Sequence, residues 1–264
     1  MKVSEAKAFR LGAVSFLNTK PLIEGLADEP GVRLHLAVPA ELAGMLQAGC
    51  VDAALMPVID IGRSAGRWKR ISDAGICSDG DTLTVQVFSR VPPEDMTALH
   101  ADTDSHTSVI LARLVWKGFH RRPLSVVPLK AGAGVEHCES VLLIGDKVVG
   151  ADVAGFPYRV DLGGAWRAWT GLPFVFAAWG APAERDMTHL ARLLSEARDR
   201  GVARAAELAA EYGPALGWPV DLARDYLTRH MKYTITPAAE AGMNKFLELA
   251  RAEGLIPQAG ALVT

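Results

Sequence analysis

Cysteine is scarce in this sequence and follows no pattern. The chain of 264 residues has three cysteines, Cys50, Cys77 and Cys138, which are far apart and odd in number. This set predicts neither a disulfide framework nor a cysteine metal site, and it is typical of a protein in a reducing cytoplasm. The seven histidines are dispersed as well, so we expect no bound metal ion.

Long apolar runs and an excess of charge are also missing. The 28 basic residues face 30 acidic ones, a formal net charge of −2, and no basic run is interleaved with aromatic side chains. Binding to nucleic acid is therefore not predicted. No apolar stretch is long enough to cross a bilayer, and the first residues lack the apolar core of a signal peptide. We expect a cytoplasmic protein that binds neither nucleic acid nor a membrane, and the sequence specifies no oligomeric state.

The signatures of nucleotide-dependent and metal-dependent enzymes are absent. The sequence has no GxGxxG motif behind a strand, no P-loop and no HExxH motif. Cys77 has no partner histidine that the sequence indicates, so a small buried hydrophobic residue is the default interpretation for it. We therefore expect no cofactor.

What is present is an alternation of strand and helix patterns. Segments 11–16, 32–38 and 51–58 predict strands, and 39–48 predicts a helix that begins at a proline. Such alternation favours a parallel sheet with helical crossovers. Further strands are predicted at 82–89, 98–101, 125–129, 141–145 and 172–179, a loop or short helix at 132–139, and helices at 109–119, 161–171, 183–210, 222–230 and 238–253.

The most informative stretch is the junction at 11–26, LGAVSFLNTKPLIEGL. The strand breaks at Asn18 and Thr19, either of which is a good helix N-cap, and Pro21 stands where a first helical turn tolerates proline. A strand that runs into a helix N-terminus directs backbone N–H groups and the helix dipole at the strand end, which favours an anion there. Asn18 adds an amide donor and a carbonyl acceptor. Taken alone, the junction favours simple capping over a binding role.

A second polar junction follows at 102–108, DTDSHTS. It again joins a strand to a helix, and it contains Ser105, His106, Thr107 and Ser108. Capping accounts for one hydroxyl side chain but not for three together with a histidine. The run therefore favours a binding loop, with pure capping as the alternative. Asp146 ends the strand at 141–145, where an acid either faces a cleft or caps the next turn.

The two junctions predict two α/β lobes that face each other across a central cleft. Open α/β sheets bind ligands beyond the carboxyl ends of their strands, and two such ends can close on a small molecule from both sides. We expect a discontinuous lobe 1, with residues 1–90 and the helical tail 181–264, and a lobe 2 of residues 91–180. Hydroxyls, an amide and helix N-termini suit a carboxylate-bearing small molecule, but they do not by themselves indicate catalysis.

An ordered set of motifs resembles one enzyme family. GAVSFLNTKPLIEGL, GxxDAALMPV, GICSDG, FSRVP, DTDSHTSV, LLIGD and DLGGAWRAWTGLPFVFAAW follow one another over the first two-thirds of the chain. Their order and spacing are similar to those of the chorismate dehydratases of the futalosine route to menaquinone. The resemblance implies the two-lobed fold of type II periplasmic binding proteins.

The resemblance also implies a reaction and the residues that perform it. The reaction is the loss of water from chorismate to give 3-[(1-carboxyvinyl)oxy]benzoate, and Asn18 and Thr84 match the family's active-site positions. Thr84 stands where many relatives have serine, and His106 stands where relatives more often have arginine. The candidate substrate-binding residues are Ser15, Thr19, Met56, Ser78, Ser105, His106, Thr107, Ser108, Gly145 and Asp146.

Two questions stay open at the level of sequence. No strong protein base is evident in these motifs, and the substrate's own enolpyruvyl carboxylate is one candidate for that role. The alternative function is a cytosolic protein of the same fold that binds a small carboxylate without catalysis. Turnover of chorismate distinguishes the two functions.

Overall fold

The computed structural model describes residues 8–102, 104–129 and 134–258, which form two β-sheets with helices packed against them. The first sheet consists of β1 (Phe9–Val14), β2 (Val32–Ala37), β3 (Ala53–Pro57), β4 (Trp68–Ser78), β10 (Phe174–Pro182) and β11 (Met231–Thr234). The second sheet consists of β5 (Val85–Ser89), β6 (Ala98–Asp102), β7 (Ser125–Leu129), β8 (Ser140–Ile144) and β9 (Tyr158–Asp161).

Both sheets mix parallel and antiparallel pairs. The first has the order β11-β4-β10-β3-β1-β2, with β1 parallel to β2 and β3, and β10 antiparallel to β3 and β4. The second has the order β7-β6-β8-β5-β9, with β6 parallel to β7 and β8. Strands β3, β5 and β8 are buried along their whole length, as expected for strands that are covered on both faces.

The helices cover the sheets with amphipathic faces. Helix α6 (Thr188–Ala203) buries Leu190, Leu194, Ala197 and Gly201, a spacing that places all four on one face. The other α-helices are α1 (Pro39–Gln47), α2 (Val58–Arg63), α3 (His106–Gly118), α4 (Lys147–Gly150), α5 (Leu162–Thr170), α7 (Ala205–Tyr212), α8 (Val220–Asp225) and α9 (Pro237–Ala252). Segments Leu17–Leu22, Pro93–Asp95 and Pro214–Leu216 are 3₁₀ helices, and Tyr226–His230 is a π-helix.

The chain crosses between the sheets twice. It leaves the first sheet after β4 and returns to it with β10, so the turn at 79–84 and helix α5 are the connections. Strand β5 belongs to the second sheet although it precedes residue 91, and β10 belongs to the first although it begins before residue 181. The division into lobes at residues 90 and 180 stays a prediction.

The first junction is a 3₁₀ helix rather than a capped α-helix. Leu17–Leu22 has Phe16 at its N-cap position and no side-chain cap bond. The prediction that Asn18 or Thr19 caps an α-helix is therefore wrong. Leu17 and Leu22 are fully buried, and the segment packs against α6. Burial of these side chains outweighs the local capping preference, because most helical stability in proteins comes from tertiary packing.

The predicted pattern of strands also needs correction. The strand predicted at 82–89 begins only at Val85, because Leu83 has a left-handed backbone with a φ of 63°. Strand β4 was not predicted, since its sequence WKRISDAGICS does not alternate cleanly. The tail was predicted to be helical throughout, yet β11 interrupts it. Its four residues alternate between buried and exposed, a pattern too short to stand out between two helices.

A few predictions fall on parts of the chain that the structure does not describe. Residues 132 and 133 of the loop predicted at 132–139 lie outside the described residues, and 134–139 is neither helix nor strand. Thr103 of the second polar junction and residues 1–7 of the N-terminal segment lie outside them as well. None of the described helices is both long and apolar enough to span a membrane.

Candidate active site

A pocket lies between the two sheets, where strands β1, β3 and β8 end and helix α3 begins. About 570 Å³ of space within it, including open solvent at its mouth, is not filled by protein atoms. Its lining residues are Val14, Phe16, Asn18, Pro39, Pro57, Ile76, Thr84, Val85, Asp104, Ser105, His106, Thr107, Ser108, Ile144, Gly145, Phe176, Ala177 and Met231.

The structure brings together many of the residues that the sequence singled out. Asn18, from the first junction, and Thr84, from the connection into β5, both line this pocket. Residues 104–108 of the second junction also belong to the lining, as does Gly145, which follows β8. The predicted residues that line the pocket are Asn18, Thr84, Ser105, His106, Thr107, Ser108 and Gly145.

Five other predicted residues are not part of the lining. Thr19 and Met56 are fully buried. Ser15 is half-buried and precedes Phe16, a lining residue, in the sequence. Ser78 is buried, and its hydroxyl has no partner among the described residues. The carboxylate of Asp146 is turned toward protein donors rather than toward the pocket. The part of these five residues in substrate binding stays a prediction.

Helix α3 directs its N-terminus at the pocket. It begins at His106, three residues before the predicted start, and Ser105 occupies the N-cap position without a side-chain cap bond. The side chains of Ser105 and Ser108 line the pocket and are 4% and 5% exposed as residues. Thr107 instead donates its hydroxyl to the carbonyl of Phe176 at 3.2 Å, which joins α3 to β10. Unbonded N–H groups and two hydroxyls at a helix N-terminus suit an anionic group.

Asp60 fixes the imidazole ring of His106. The Nδ1 atom of His106 lies 2.8 Å from one carboxylate oxygen of Asp60, and the other oxygen accepts a bond from Arg63 at 3.1 Å. Asp60 is 4% exposed and belongs to α2, so the pair also connects the two sheets. This contact leaves Nε2 as the ring nitrogen that can face a ligand. Sequence analysis did not identify Asp60, because it lies in none of the polar clusters.

Tyr226 connects the two residues that the sequence predicts to be catalytic, Asn18 and Thr84. The Nδ2 atom of Asn18 donates to the Tyr226 hydroxyl at 3.0 Å, and the hydroxyl of Thr84 lies 2.7 Å from the same oxygen. Tyr226 is fully buried, and this burial raises the pKa of its phenol well above the ordinary value, so it stays protonated. Sequence analysis missed Tyr226, because it follows Thr84 by 142 residues in the helical tail and no local motif marks it.

A strained turn presents Thr84 to the pocket. Leu83 adopts a φ of 63°, which is unfavourable for a residue with a branched side chain. Asp161, the N-cap of α5, holds this turn by accepting bonds from the N–H groups of Thr82 at 2.8 Å and Leu83 at 2.9 Å. Gln86 donates to the same carboxylate. One half-buried carboxylate thus fixes both the start of α5 and the position of Thr84.

The end of β8 makes close contacts with the opposite sheet. Gly145 has a φ of 60°, and a Cβ atom there would lie 2.5 Å from the ring of Phe16. The next residue, Asp146, accepts bonds from the N–H of Leu17 at 3.2 Å and the indole of Trp218 at 3.0 Å. Burial raises the pKa of Asp146, and these two bonds oppose the shift. The structure is therefore that of a closed cleft.

Two residues with the chemistry of nucleophiles are not available as such. The stretch GRSAG at 62–66 has the GxSxG spacing of a hydrolase nucleophile elbow, which needs a serine exposed on a strand-to-helix turn. Ser64 instead follows the end of α2, is buried, and donates its hydroxyl to the carbonyl of Ile61 at 2.7 Å. Burial raises the pKa of the Cys77 thiol to about 12, so this thiol stays protonated at neutral pH.

The lining of the pocket carries little charge. No lysine or arginine is among its described lining residues, and its titratable side chains are Asp104 and His106. Asp104 is paired with Lys147, whose ammonium lies 2.6 Å away. Across residues 8–102, 104–129 and 134–258, no group of three or more His, Cys, Asp or Glu side chains is placed to hold a metal ion. The groups that this pocket offers to an anion are therefore mostly neutral donors.

Solved structures of other proteins share this fold. A protein from Archaeoglobus fulgidus matches with a TM-score of 0.73 at 14% identity, over 94% of this chain and 98% of that one. The alkanesulfonate-binding protein SsuA from Xanthomonas axonopodis pv. citri matches with a TM-score of 0.71 at 11% identity, over 97% and 96% of the two chains. The predicted α/β fold of the periplasmic-binding-protein type is confirmed.

Sequence comparison identifies the family. The chain is 29% identical over 265 residues to the chorismate dehydratase of Thermus thermophilus, covering 92% of this chain and 95% of that protein. The profile of a family described as menaquinone biosynthesis matches residues 9–252, which include both sheets and every residue that lines the pocket. The chain belongs to this menaquinone biosynthesis family.

Proposed function

We propose that this protein is a chorismate dehydratase, a carbon–oxygen lyase of menaquinone biosynthesis. Its family and its relative from Thermus thermophilus support the assignment. The observation that carries it is the meeting of Asn18, Thr84 and the α3 N-terminus around one pocket between the sheets. The cytoplasmic location expected from the scattered cysteines is part of this proposal.

The reaction needs orientation and charge stabilisation more than a strong acid or base. A proton leaves the ether-bearing ring carbon of chorismate, where the conjugated diene and the ring carboxylate make it acidic. Its electron pair forms a ring double bond, and the neighbouring hydroxyl leaves as water. The product is an aromatic ring, 3-[(1-carboxyvinyl)oxy]benzoate, so the driving force is large. Preorganised donors in a closed site stabilise the charge that grows on the ring carboxylate and the departing oxygen.

The pocket divides these tasks among its polar groups. The N–H groups at the start of α3, with the hydroxyls of Ser105 and Ser108, receive one carboxylate of the substrate. Asn18 and Thr84, which line the same pocket, hydrogen-bond the departing hydroxyl. His106 is held through Nδ1 by Asp60 and binds the second carboxylate through Nε2.

The proton is taken by the substrate's own enolpyruvyl carboxylate and then passes to the departing hydroxyl, which leaves as water. Of the titratable side chains in the described lining, Asp104 is paired with Lys147 and His106 is engaged with Asp60. The enolpyruvyl group is attached through its ether oxygen to the ring carbon that loses the proton, so its carboxylate lies close to that proton. An intramolecular group in this position has a high effective concentration.

The decisive experiment is incubation of the purified protein with chorismate. We expect the ultraviolet spectrum of the diene to give way to that of a substituted benzoate, with a product lighter by one water in mass spectrometry. Thr84→Val, which removes the hydroxyl and keeps the shape, should lower kcat by roughly 10²–10³. Thr84→Ser is the matched control and should retain most of the activity. Binding of chorismate without turnover would favour the carboxylate-binding protein instead.

A further inference from the structure

We propose that Tyr226 is a positioning residue of this site, which fixes the direction in which the Thr84 hydroxyl donates. The inference rests on the proposed function and concerns a residue outside every motif that identifies the family. It starts from the contacts of one hydroxyl group, which lies at hydrogen-bond distance from both Asn18 and Thr84.

The donors and acceptors that Asn18, Tyr226 and Thr84 carry determine which group donates each hydrogen bond. The amide nitrogen of Asn18 can only donate, so the Tyr226 oxygen accepts from it at 3.0 Å. The phenol has one hydrogen of its own, and among the described residues its other hydrogen-bonding neighbour is Thr84, 2.7 Å away. If Thr84 donated instead, the hydrogen of a fully buried phenol would have no acceptor, which is costly. Tyr226 therefore donates to Thr84, and the hydrogen of Thr84 is left for the pocket.

The fold holds Tyr226 in the position that this direction requires. Its ring stacks on that of Trp218, with centroids 4.7 Å apart and planes inclined by 15°. Trp218 is anchored in turn by its indole bond to Asp146. Tyr226 is also the first residue of the π-helix Tyr226–His230, a rare geometry that is often found at functional sites. The aromatic stack and the full burial of Tyr226 hold its phenol in place.

The consequence is a relay of donors that ends at the substrate. Asn18 donates to Tyr226, Tyr226 donates to Thr84, and Thr84 donates to the hydroxyl that leaves chorismate. Each bond in such a chain polarises the next. Without the phenol, the Thr84 hydroxyl can rotate and donate elsewhere, for example to a backbone carbonyl.

The test compares two buried tyrosines. Tyr226→Phe removes the shared hydroxyl and keeps the aromatic stack. Tyr233→Phe is the matched control, because Tyr233 is also buried and its hydroxyl has no partner among the described residues. We expect Tyr226→Phe to lower kcat about tenfold to a hundredfold with KM changed less than about threefold, as for an interaction made in the transition state. Tyr233→Phe should leave both constants unchanged. Equal kcat values for Tyr226→Phe and wild type would overturn the inference.

A double variant tests whether Tyr226 acts through Thr84. If it does, adding Tyr226→Phe to Thr84→Val causes no further loss of kcat, because the hydroxyl to be directed is already gone. Losses that multiply would show an independent effect of Tyr226 and would refute the relay. Circular dichroism at the assay temperature ensures that only folded variants are compared.

Failure of the inference and failure of the proposed function give different results. A wild-type protein that converts chorismate, together with a fully active Tyr226→Phe variant, refutes the relay and leaves the function intact. A wild-type protein that binds chorismate without converting it refutes the function, and the positioning role falls with it.

Discussion

Replacement of Gly145 by alanine tests how tightly the closed cleft is packed. Gly145 has a φ of 60°, and an alanine in the left-handed region costs roughly 1–2 kcal/mol. The added Cβ atom would also lie 2.5 Å from the Phe16 ring. Carbon atoms pack at about 3.5–4.0 Å, so the ring has to withdraw by about one ångström. Overpacking of this kind typically costs about 1–3 kcal/mol.

Gly171 provides a matched control for the backbone part of this cost. It has a φ of 71°, and apart from its chain neighbours no atom of the described residues lies within 4 Å of the position of its Cβ. Gly171→Ala should therefore lower the free energy of unfolding by roughly 1–2 kcal/mol, which is the conformational cost alone. For Gly145→Ala the two terms together give roughly 2–5 kcal/mol. The difference between the two variants measures the contact with Phe16.

Denaturant unfolding and chorismate kinetics read out the two consequences separately. Because Phe16 lines the pocket, its displacement either narrows the pocket or parts the sheets, and both raise KM. We expect KM to rise several-fold in Gly145→Ala and to stay at the wild-type value in Gly171→Ala. Equal losses of stability in the two variants, with KM unchanged in both, would refute the proposed packing between Gly145 and Phe16.

The remaining predictions concern charge, thiols and metal ions. His106→Gln should raise KM by about tenfold and leave kcat within a few-fold if His106 binds a carboxylate, whereas loss of most of kcat would identify it as the base. Burial alone would raise the pKa of Asp52, but hydrogen bonds from Arg10 and Arg185 outweigh it and lower that pKa. Asp52→Asn should therefore cost roughly 1–3 kcal/mol of stability at neutral pH, a difference that shrinks as the pH falls below about 4, as urea titrations would show. At mildly alkaline pH a thiol reagent should modify the exposed Cys50 in the native protein and spare Cys77, a pattern that mass spectrometry of the labelled protein can check. Dehydration should persist after exhaustive dialysis against a chelator, and recovery only on adding a divalent ion would contradict this.

The polar junctions were predictable because their signals are local. The run DTDSHTS and the stretch that contains Asn18 each lie between a strand pattern and an apolar helix pattern, and open α/β sheets bind ligands at such points. From these two junctions the sequence also predicted that Asn18 and the residues at 105–108 would line one cleft. It failed on how the first junction is built, because Leu17 and Leu22 bury their side chains in a 3₁₀ helix rather than following the capping preference.

The partners of the site residues were not predictable from sequence. Tyr226 reaches Thr84 only because α8 and the π-helix return to the first sheet behind the pocket. Asp60 meets His106 only when the two sheets face each other. Such contacts depend on tertiary structure, and neither Tyr226 nor Asp60 belongs to a local sequence motif that would mark it. Strand β11 was missed for a related reason. Its four residues carry little strand signal, and it is a strand because it pairs with β4.

The scarcity of fixed positive charge in the described lining of the pocket has a kinetic consequence. A dianion that approaches this pocket meets neutral hydroxyls and N–H groups, while Asp104 is already paired with Lys147. Long-range attraction then contributes little to the rate at which the substrate reaches the pocket. Added salt screens long-range attraction most strongly, and kcat/KM for chorismate should accordingly change little with ionic strength. Selection of the substrate takes place after entry, through shape and hydrogen bonds in the closed cleft.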